Sequence, residues 1–400
     1  MSIISAPLLL VDGVLRGPAA VVIADGRIGE VLDGIPPAAG DHLQLSEGIL
    51  SPGLVDLQIN GAYGIDFISA TPEGWATIAE TLPSTGVTAF QPTFTTAPLD
   101  ALVAGLDRAV VACAELEGSG FARMIGVHLE GPFLSPLQPG VHPVHQMIEP
   151  STANLDVILA GEEARRIITM VTLAPELPGS IDAIQRLVAA RIRVSIGHTD
   201  ATAAQVRAAT DAGATMVTHI FNAQRRLGHR EPGVPGQALS DKRLAIGLIA
   251  DLMHVAGEIV GVVMQAAAGR VVLVTDAMAA AGMPAGRYEL GDSMIDVLSD
   301  GLPRNAAGAI AGSTLALDSA VRNVVGVGVD PAAALEAATR VPADVMGRND
   351  LGRIAPGARA DLVWWSNDLQ PLRVWIGGQE TTQAPRPAEA RELASDEVSA

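Results

Sequence analysis

Through the middle of this 400-residue chain, eight apolar, β-branched runs alternate with amphipathic segments at helical spacing. Both ends carry short strand-like runs separated by glycine turns. Hydrophobic residues make up 48% and aromatics only 3%, a composition suited to helices packed closely on a sheet. Together these features predict an α/β fold, a (β/α)8 TIM-like barrel with a small β-sandwich domain built from both termini. The expected boundaries are 1–50 and 353–380 for the discontinuous β domain, 51–352 for the barrel and 381–400 for a flexible, polar C-terminal tail.

At the N-terminus, 19–24 is an apolar run, Asp25-Gly26 a hairpin signal, and 27–31 resumes as a strand. The C-terminal counterpart runs through a Pro356-Gly357 turn into 360–365 and 372–376. Barrel strands are expected at 54–59, 87–94, 124–130, 167–174, 193–198, 216–221, 244–250 and 271–276. Between them, helical periodicity marks 75–82, 99–117, 181–190, 203–212 and 258–268, with Ser180 and Thr202 as N-caps. The connection 222–243 is rich in Gly, Pro and Arg and reads as a long functional loop.

The formal net charge of −18 argues against nucleic acid or an anionic membrane surface as a partner. A single cysteine, Cys113, excludes an internal disulfide framework and any Cys-based metal site. No apolar run reaches ~18 residues without a charge or breaker, and the first residues lack a basic, cleavable leader pattern. A cytoplasmic protein is expected.

The polar residues closing the predicted strands carry the chemistry. Val127-His128-Leu129-Glu130 ends a buried run in a carboxylate, which is costly to bury without a cation, a donor cluster or water. Three later strands end similarly, in Gly197-His198, Thr218-His219 and Thr275-Asp276, and the seventh runs into Asp251 and His254. Barrel active sites lie at these C-terminal ends. Two imidazoles and a carboxylate leave an open coordination position, the pattern of a catalytic metal site. Zn2+ suits this N2O set, and Fe2+, Co2+ or Mn2+ also fit. Asp276 is the candidate general base and acid. His128 has two readings, support of the ligands or plain packing.

Several of these stretches, taken in order, resemble one family. They are Pro52-Gly53-Leu54-Val55-Asp56-Leu57-Gln58-Ile59-Asn60-Gly61, His128-Leu129-Glu130-Gly131-Pro132-Phe133, Gly197-His198-Thr199-Asp200-Ala201-Thr202, Thr218-His219-Ile220-Phe221-Asn222-Ala223 and Leu273-Val274-Thr275-Asp276-Ala277. The resemblance is to the N-acetylglucosamine-6-phosphate deacetylases of the amidohydrolase superfamily and covers residues ~50–380 in similar spacing. It implies hydrolysis of an N-acetyl-hexosamine 6-phosphate to the amine sugar phosphate and acetate. It implies that Glu130, His198 and His219 hold the metal, that Asp276 moves protons, and that His142 polarises the acetyl carbonyl. Gln58, His142, Asn222, Ala223, Arg230 and His254 would bind substrate. In this family the phosphate arginine can come from the neighbouring subunit, so a homodimer sharing Arg230 is expected, with Arg225 and Arg226 nearby.

Many amidohydrolases carry His-X-His after strand one and a carboxylated lysine after strand four. Here those places read Gln58-Ile59-Asn60 and Leu173-Ala174-Pro175-Glu176, so one metal ion per chain is expected. Gln224 replaces a common Met, and the 134–145 lid is individual, which leaves N-acetylgalactosamine 6-phosphate, or another related amide, as the alternative substrate.

Overall fold

The computed structural model describes residues 1–37 and 40–381. The β-branched runs form the barrel strands β1 (Leu54–Ile59), β2 (Val87–Phe94), β3 (Val127–Glu130), β4 (Ile168–Leu173), β5 (Arg193–Ile196), β6 (Met216–Val217), β7 (Ala245–Leu248) and β8 (Val271–Leu273). Each pairs in parallel with the next. Closure comes just beyond β8, where the Asp276 amide donates to the Gln58 carbonyl at 2.8 Å and the Asn60 amide to the Ala277 carbonyl at 2.7 Å. A nearly closed parallel barrel results, in which Asp276 stands beside the end of β1.

The helices form where apolar spacing placed them. Leu99–Leu116 turns Leu102, Leu106, Ala109 and Ala112 into the core, and Ala203–Ala212 buries Val206 and Ala209. Thr202 caps the latter through a reciprocal box with Gln205. Ser180 does not cap. Gly179, at φ +81°, holds that position before Ser180–Ala189, and the Ser180 hydroxyl donates to the Ala174 carbonyl at 2.8 Å instead. A left-handed residue reverses the chain after β4, and glycine takes that conformation without steric cost.

Three further elements differ from the sequence expectation. The expected third strand is split into Arg123–Met124 and Val127–Glu130. Between them Gly126 sits at φ +114°, where a Cβ would fall 2.3 Å from Thr169 Oγ1. The 222–243 connection is only partly a loop: Gly233–Ser240 is a helix, because burying Val234 and Ala238 in the main core overrides its poor propensity. An unforeseen antiparallel sheet, Gly286–Leu290, Ser293–Val297 and Pro303–Arg304, follows the eighth strand. It packs a small core of its own from Met278, Ala280, Leu290, Ile295, Val297 and Ala311.

Strands from both ends of the chain share one six-stranded sheet. In it Ile49–Pro52 pairs with Leu8–Val11 on one side and with Leu362–Trp365 on the other. A four-stranded sheet of Ser2–Ala6, Ala19–Ala24, Arg27–Asp33 and His42–Gln44 packs on it through Ile4, Val21, Ile28, Leu9, Leu50, Leu362 and Trp375. Apart from residue 381, the expected tail lies outside the described residues. No described helix is long and apolar enough to cross a membrane.

Candidate active site

The strand ends converge as the barrel geometry requires. Glu130 Oε1 lies 3.0 Å from His219 Nε2 and 3.4 Å from His198 Nε2, and the two imidazole nitrogens are 3.2 Å apart. Ligands bound tetrahedrally at 2.0–2.1 Å stand about 3.3 Å from one another, so these three atoms match three corners around one small divalent ion. The His198 ring is oriented by the lid: its Nδ1 donates to the Gln138 carbonyl at 3.3 Å, leaving the Nε2 lone pair free. His219 Nδ1 is buried without a partner among the described residues. Burial alone would raise the Glu130 carboxyl, but hydrogen bonds and charge from His198 and His219 outweigh it and hold it well below the usual carboxylate range. The Glu130 contact lifts His219 to about 9 against the opposing effect of burial. Freeing that imidazole for a cation therefore releases a proton.

His198, His219 and Asp276 all sit in left-handed backbone, at φ +46°, +26° and +50°. Strain of this kind costs of order 1–3 kcal/mol per residue and clusters where side chains must be re-aimed. It is also why β6 stops at Val217, short of the expected end.

Asp276 is clamped from β1. Gln58 Nε2 donates to Asp276 Oδ1 at 3.0 Å and to Glu130 Oε1 at 3.0 Å, and Asn60 Nδ2 donates to the same Asp276 oxygen at 2.8 Å. Nothing among the described residues hydrogen-bonds Asp276 Oδ2. Burial, then the Glu130 charge, raises the Asp276 carboxyl above its ordinary value, the direction that suits a proton carrier near neutrality.

His142 has a defined tautomer. The Thr96 amide donates to its Nδ1 at 3.2 Å, so the ring proton is on Nε2, which lies 4.0 Å from Glu130 Oε2. Burial, reinforced by the His198 charge, pushes this histidine down to about 3, so it is neutral at physiological pH. Glu130, His142 and His198 also place one ligand-type atom each within 4.8 Å of one another. The proton on His142 Nε2 makes that atom a hydrogen-bond donor to the cavity, which favours His219 as the third ligand.

His128 lies beneath the site and not in it. Its Nδ1 is 3.3 Å from Thr93 Oγ1 and its Nε2 2.7 Å from Thr172 Oγ1, which continues to Thr218 and Ser195 at 2.8 and 2.6 Å. This chain of hydroxyls ties β2 through β6 together below the ligands. On the other side Asp56 accepts from Thr275 Oγ1 at 2.6 Å, and burial raises it to about 7.

A 160 Å³ cavity opens over these groups, lined among others by Asn60, His142, Asn222, Ala223, His254 and Asp276. His254 Nδ1 lies 2.6 Å from Asp251 Oδ2, which fixes the ring. Two expected substrate contacts are absent from that lining. Gln58 is buried behind the carboxylates it clamps, and Arg230 is exposed on the loop outside this chain's own cavity. Arg225 is paired with Asp200 and is not free to meet a phosphate. Gln224 is buried, donating to the Thr218 carbonyl at 2.7 Å and accepting from the Phe221 amide, so it braces the 218–224 turn and does not touch the cavity.

Sequence reasoning missed Asn60, Thr95, Leu290 and Ile310 in the lining. Asn60 carries a signal, since an amide two residues beyond Gln58, just past the end of β1, faces the same way. Its Oδ1 is buried and unpartnered among the described residues. Leu290 and Ile310 come from the unforeseen sheet and its following loop, and nothing local marks them.

The Amidohydrolase family model matches residues 49–381. The chain belongs to this metal-dependent family. It is 38% identical over 359 residues to N-acetylgalactosamine-6-phosphate deacetylase of Escherichia coli O157:H7, covering 89% of this chain and 93% of that protein. It is 35% identical over 343 residues to N-acetylglucosamine-6-phosphate deacetylase of Vibrio furnissii, covering 85% and 84%. Among solved structures, a mutant N-acetyl-D-glucosamine-6-phosphate deacetylase from Mycobacterium smegmatis in complex with N-acetyl-D-glucosamine-6-phosphate superimposes with a TM-score of 0.89 at 34% identity. That match covers 95% of this chain and 99% of the other.

Proposed function

We propose that this amidohydrolase deacetylates N-acetyl-D-glucosamine 6-phosphate, giving glucosamine 6-phosphate and acetate. The observation that carries the reading is the donor triangle of Glu130, His198 and His219 with the clamped Asp276 beside it. Glu130, His198 and His219 would hold one divalent ion, Zn2+ by ligand chemistry, which would supply Lewis acidity at that point.

The chain's own groups divide the remaining work. His142 Nε2–H donates to the acetyl oxygen, where charge develops as the carbonyl carbon becomes tetrahedral. Asp276 Oδ2 takes the proton of the attacking water and returns it to the departing amine nitrogen. Gln58 and Asn60 hold Oδ1, so the proton-carrying oxygen keeps its place through both transfers. Asn222, Ala223 and His254 line the cavity and are assigned to the sugar. Arg230, exposed on its loop, serves the 6-phosphate of a neighbouring subunit's substrate in a homodimer. A phosphorylated metabolite and a single cysteine suit a cytoplasmic setting.

The epimer is tested directly, since the relatives divide on it. Acetate release is measured from N-acetylglucosamine 6-phosphate and N-acetylgalactosamine 6-phosphate with metal content determined on the same sample. A higher kcat/KM on the glucosamine epimer with about one ion per chain is expected. Faster turnover of the galactosamine epimer shifts the assignment to the relative from Escherichia coli, and no release from either removes it.

A further inference from the structure

A concave feature larger than the active-site cavity lies well away from it. A 550 Å³ cavity opens at the opposite end of the barrel, where β5 to β8 begin. It is lined by Arg191, Arg193, Lys242, Arg243 and Arg270, with Asp344 as its one carboxylate. Five cations against one acid is an inversion of this chain, which has 44 acidic and 26 basic residues overall and whose single lysine is Lys242.

Part of that positive charge serves the fold. Helices end on this face of the barrel, and cations offset the negative ends of their dipoles. Arg270 does so, donating to the carbonyls of Ala238, Leu239, Asp241 and Leu244 at the end of Gly233–Ser240. Arg243 is neutralised by Asp241 at 2.7 Å and Asp211 at 2.8 Å. Arg193 gives its Nε to the Val345 carbonyl but has no carboxylate partner, and burial pushes its guanidinium down from the ordinary value. Asp344 is engaged by Arg340 and Arg353.

Arg191 and Lys242 remain. Neither side chain has a hydrogen bond or ion pair with any described residue. Arg191 also sits at φ +64°, just past the C-terminus of Ser180–Ala189. Glycine usually fills such a left-handed position, and a side chain there carries strain. Two unpaired cations and a half-paired third therefore face one concave space on a strongly acidic protein, where carboxylate partners are abundant elsewhere.

We infer that this basal cavity is a second, non-catalytic binding site for a small organic phosphate. Arg191 and Lys242 are its free phosphate ligands, and the half-buried Arg193 lines it with them. The planar guanidinium of Arg191 suits bidentate contact with phosphate oxygens, and Lys242 supplies a compact charge. The volume admits a sugar phosphate or a nucleotide, and its concave shape favours a small molecule over a polymer.

Because the chain has one lysine, the site can be read directly on the full-length enzyme. Pyridoxal 5′-phosphate condenses with a lysine amine with loss of water, and borohydride reduces the imine to a stable label located by peptide mass spectrometry. Labelling of Lys242 should be about 10-fold or more faster with pyridoxal 5′-phosphate than with pyridoxal, the effect of one charge-assisted contact. Inorganic pyrophosphate should protect it, and Arg191→Gln should remove most of the preference while leaving deacetylation unchanged. The label reports Lys242 alone, so phosphate bound at the deacetylase site does not enter the measurement. Equal labelling by the two aldehydes, or labelling that neither pyrophosphate nor Arg191→Gln reduces, overturns the site and leaves a solvated cluster at the helix ends.

Discussion

Replacing Asp276 by Asn separates proton transfer from metal binding, and the structure dictates how the new side chain sits. Asp276 Oδ1 accepts from both Gln58 Nε2 and Asn60 Nδ2, at 3.0 and 2.8 Å. An asparagine must place its oxygen there, since its NH2 would oppose two donors. The NH2 group is then forced into the cavity where Oδ2 stood, and a proton acceptor becomes a donor. Losing general acid–base transfer costs about 10²–10⁴-fold in kcat, or roughly 3–5 kcal/mol of barrier. KM should change little, because sugar and phosphate contacts lie elsewhere. Stability should hold or rise at neutral pH, since burial and the Glu130 charge already disfavour an ionised Asp276. The assay measures kcat, KM and bound metal for Asp276→Asn beside Glu130→Gln, which should lose metal and activity together. A near-normal kcat in the Asn variant, or metal loss as complete as in the Gln variant, refutes the role given to Asp276.

His142→Asn should lower kcat by about 10²–10³-fold, as loss of one donor to a developing oxyanion does, yet keep its metal; metal loss would make His142 a ligand. Arg230→Ala should raise KM for the phosphorylated sugar by about one to two orders of magnitude and leave an unphosphorylated analogue unaffected, and equal losses on both would remove the phosphate role. Asp66, whose carboxylate accepts from the Gly291 amide at 2.7 Å and so ties the unforeseen sheet to the barrel, is raised by burial to about 6. Its folded form holds the proton more tightly than the unfolded one, so this contribution is full below pH ~4 and is lost as pH rises through ~6, by about 3 kcal/mol. Denaturant titrations of wild type and Asp66→Asn across that window should converge or cross as pH rises, and parallel pH dependences would show that Asp66 does not titrate there.

The barrel was legible because its signals are local and repeated. A β-branched run followed by an amphipathic segment announces one βα unit, and eight in succession leave few ways to close a parallel sheet. The residues ending β3 and following β5, β6 and β8 were legible for the same reason: a charged or imidazole group closing an apolar strand is conspicuous wherever it occurs. Glu130, His198, His219 and Asp276 meet because chain closure brings the end of β8 beside β1, which topology alone demands.

Only the tertiary structure decided the rest, because those facts depend on pairs far apart in the chain. Gln58 and Asn60 looked like replaced metal ligands; across the closed seam, 216 to 218 residues away, they are the donors that orient Asp276. The proton on His142 follows from the Thr96 amide, 46 residues distant. Gln224 reads as a change at the substrate until its burial assigns it to the turn. The helix at Gly233–Ser240 forms against local propensity because it covers the core, and the sheet that brings Leu290 over the cavity has no periodicity strong enough to foresee. Strand-end chemistry is written residue by residue in the sequence, whereas orientation, protonation and exposure are set by neighbours that only folding supplies.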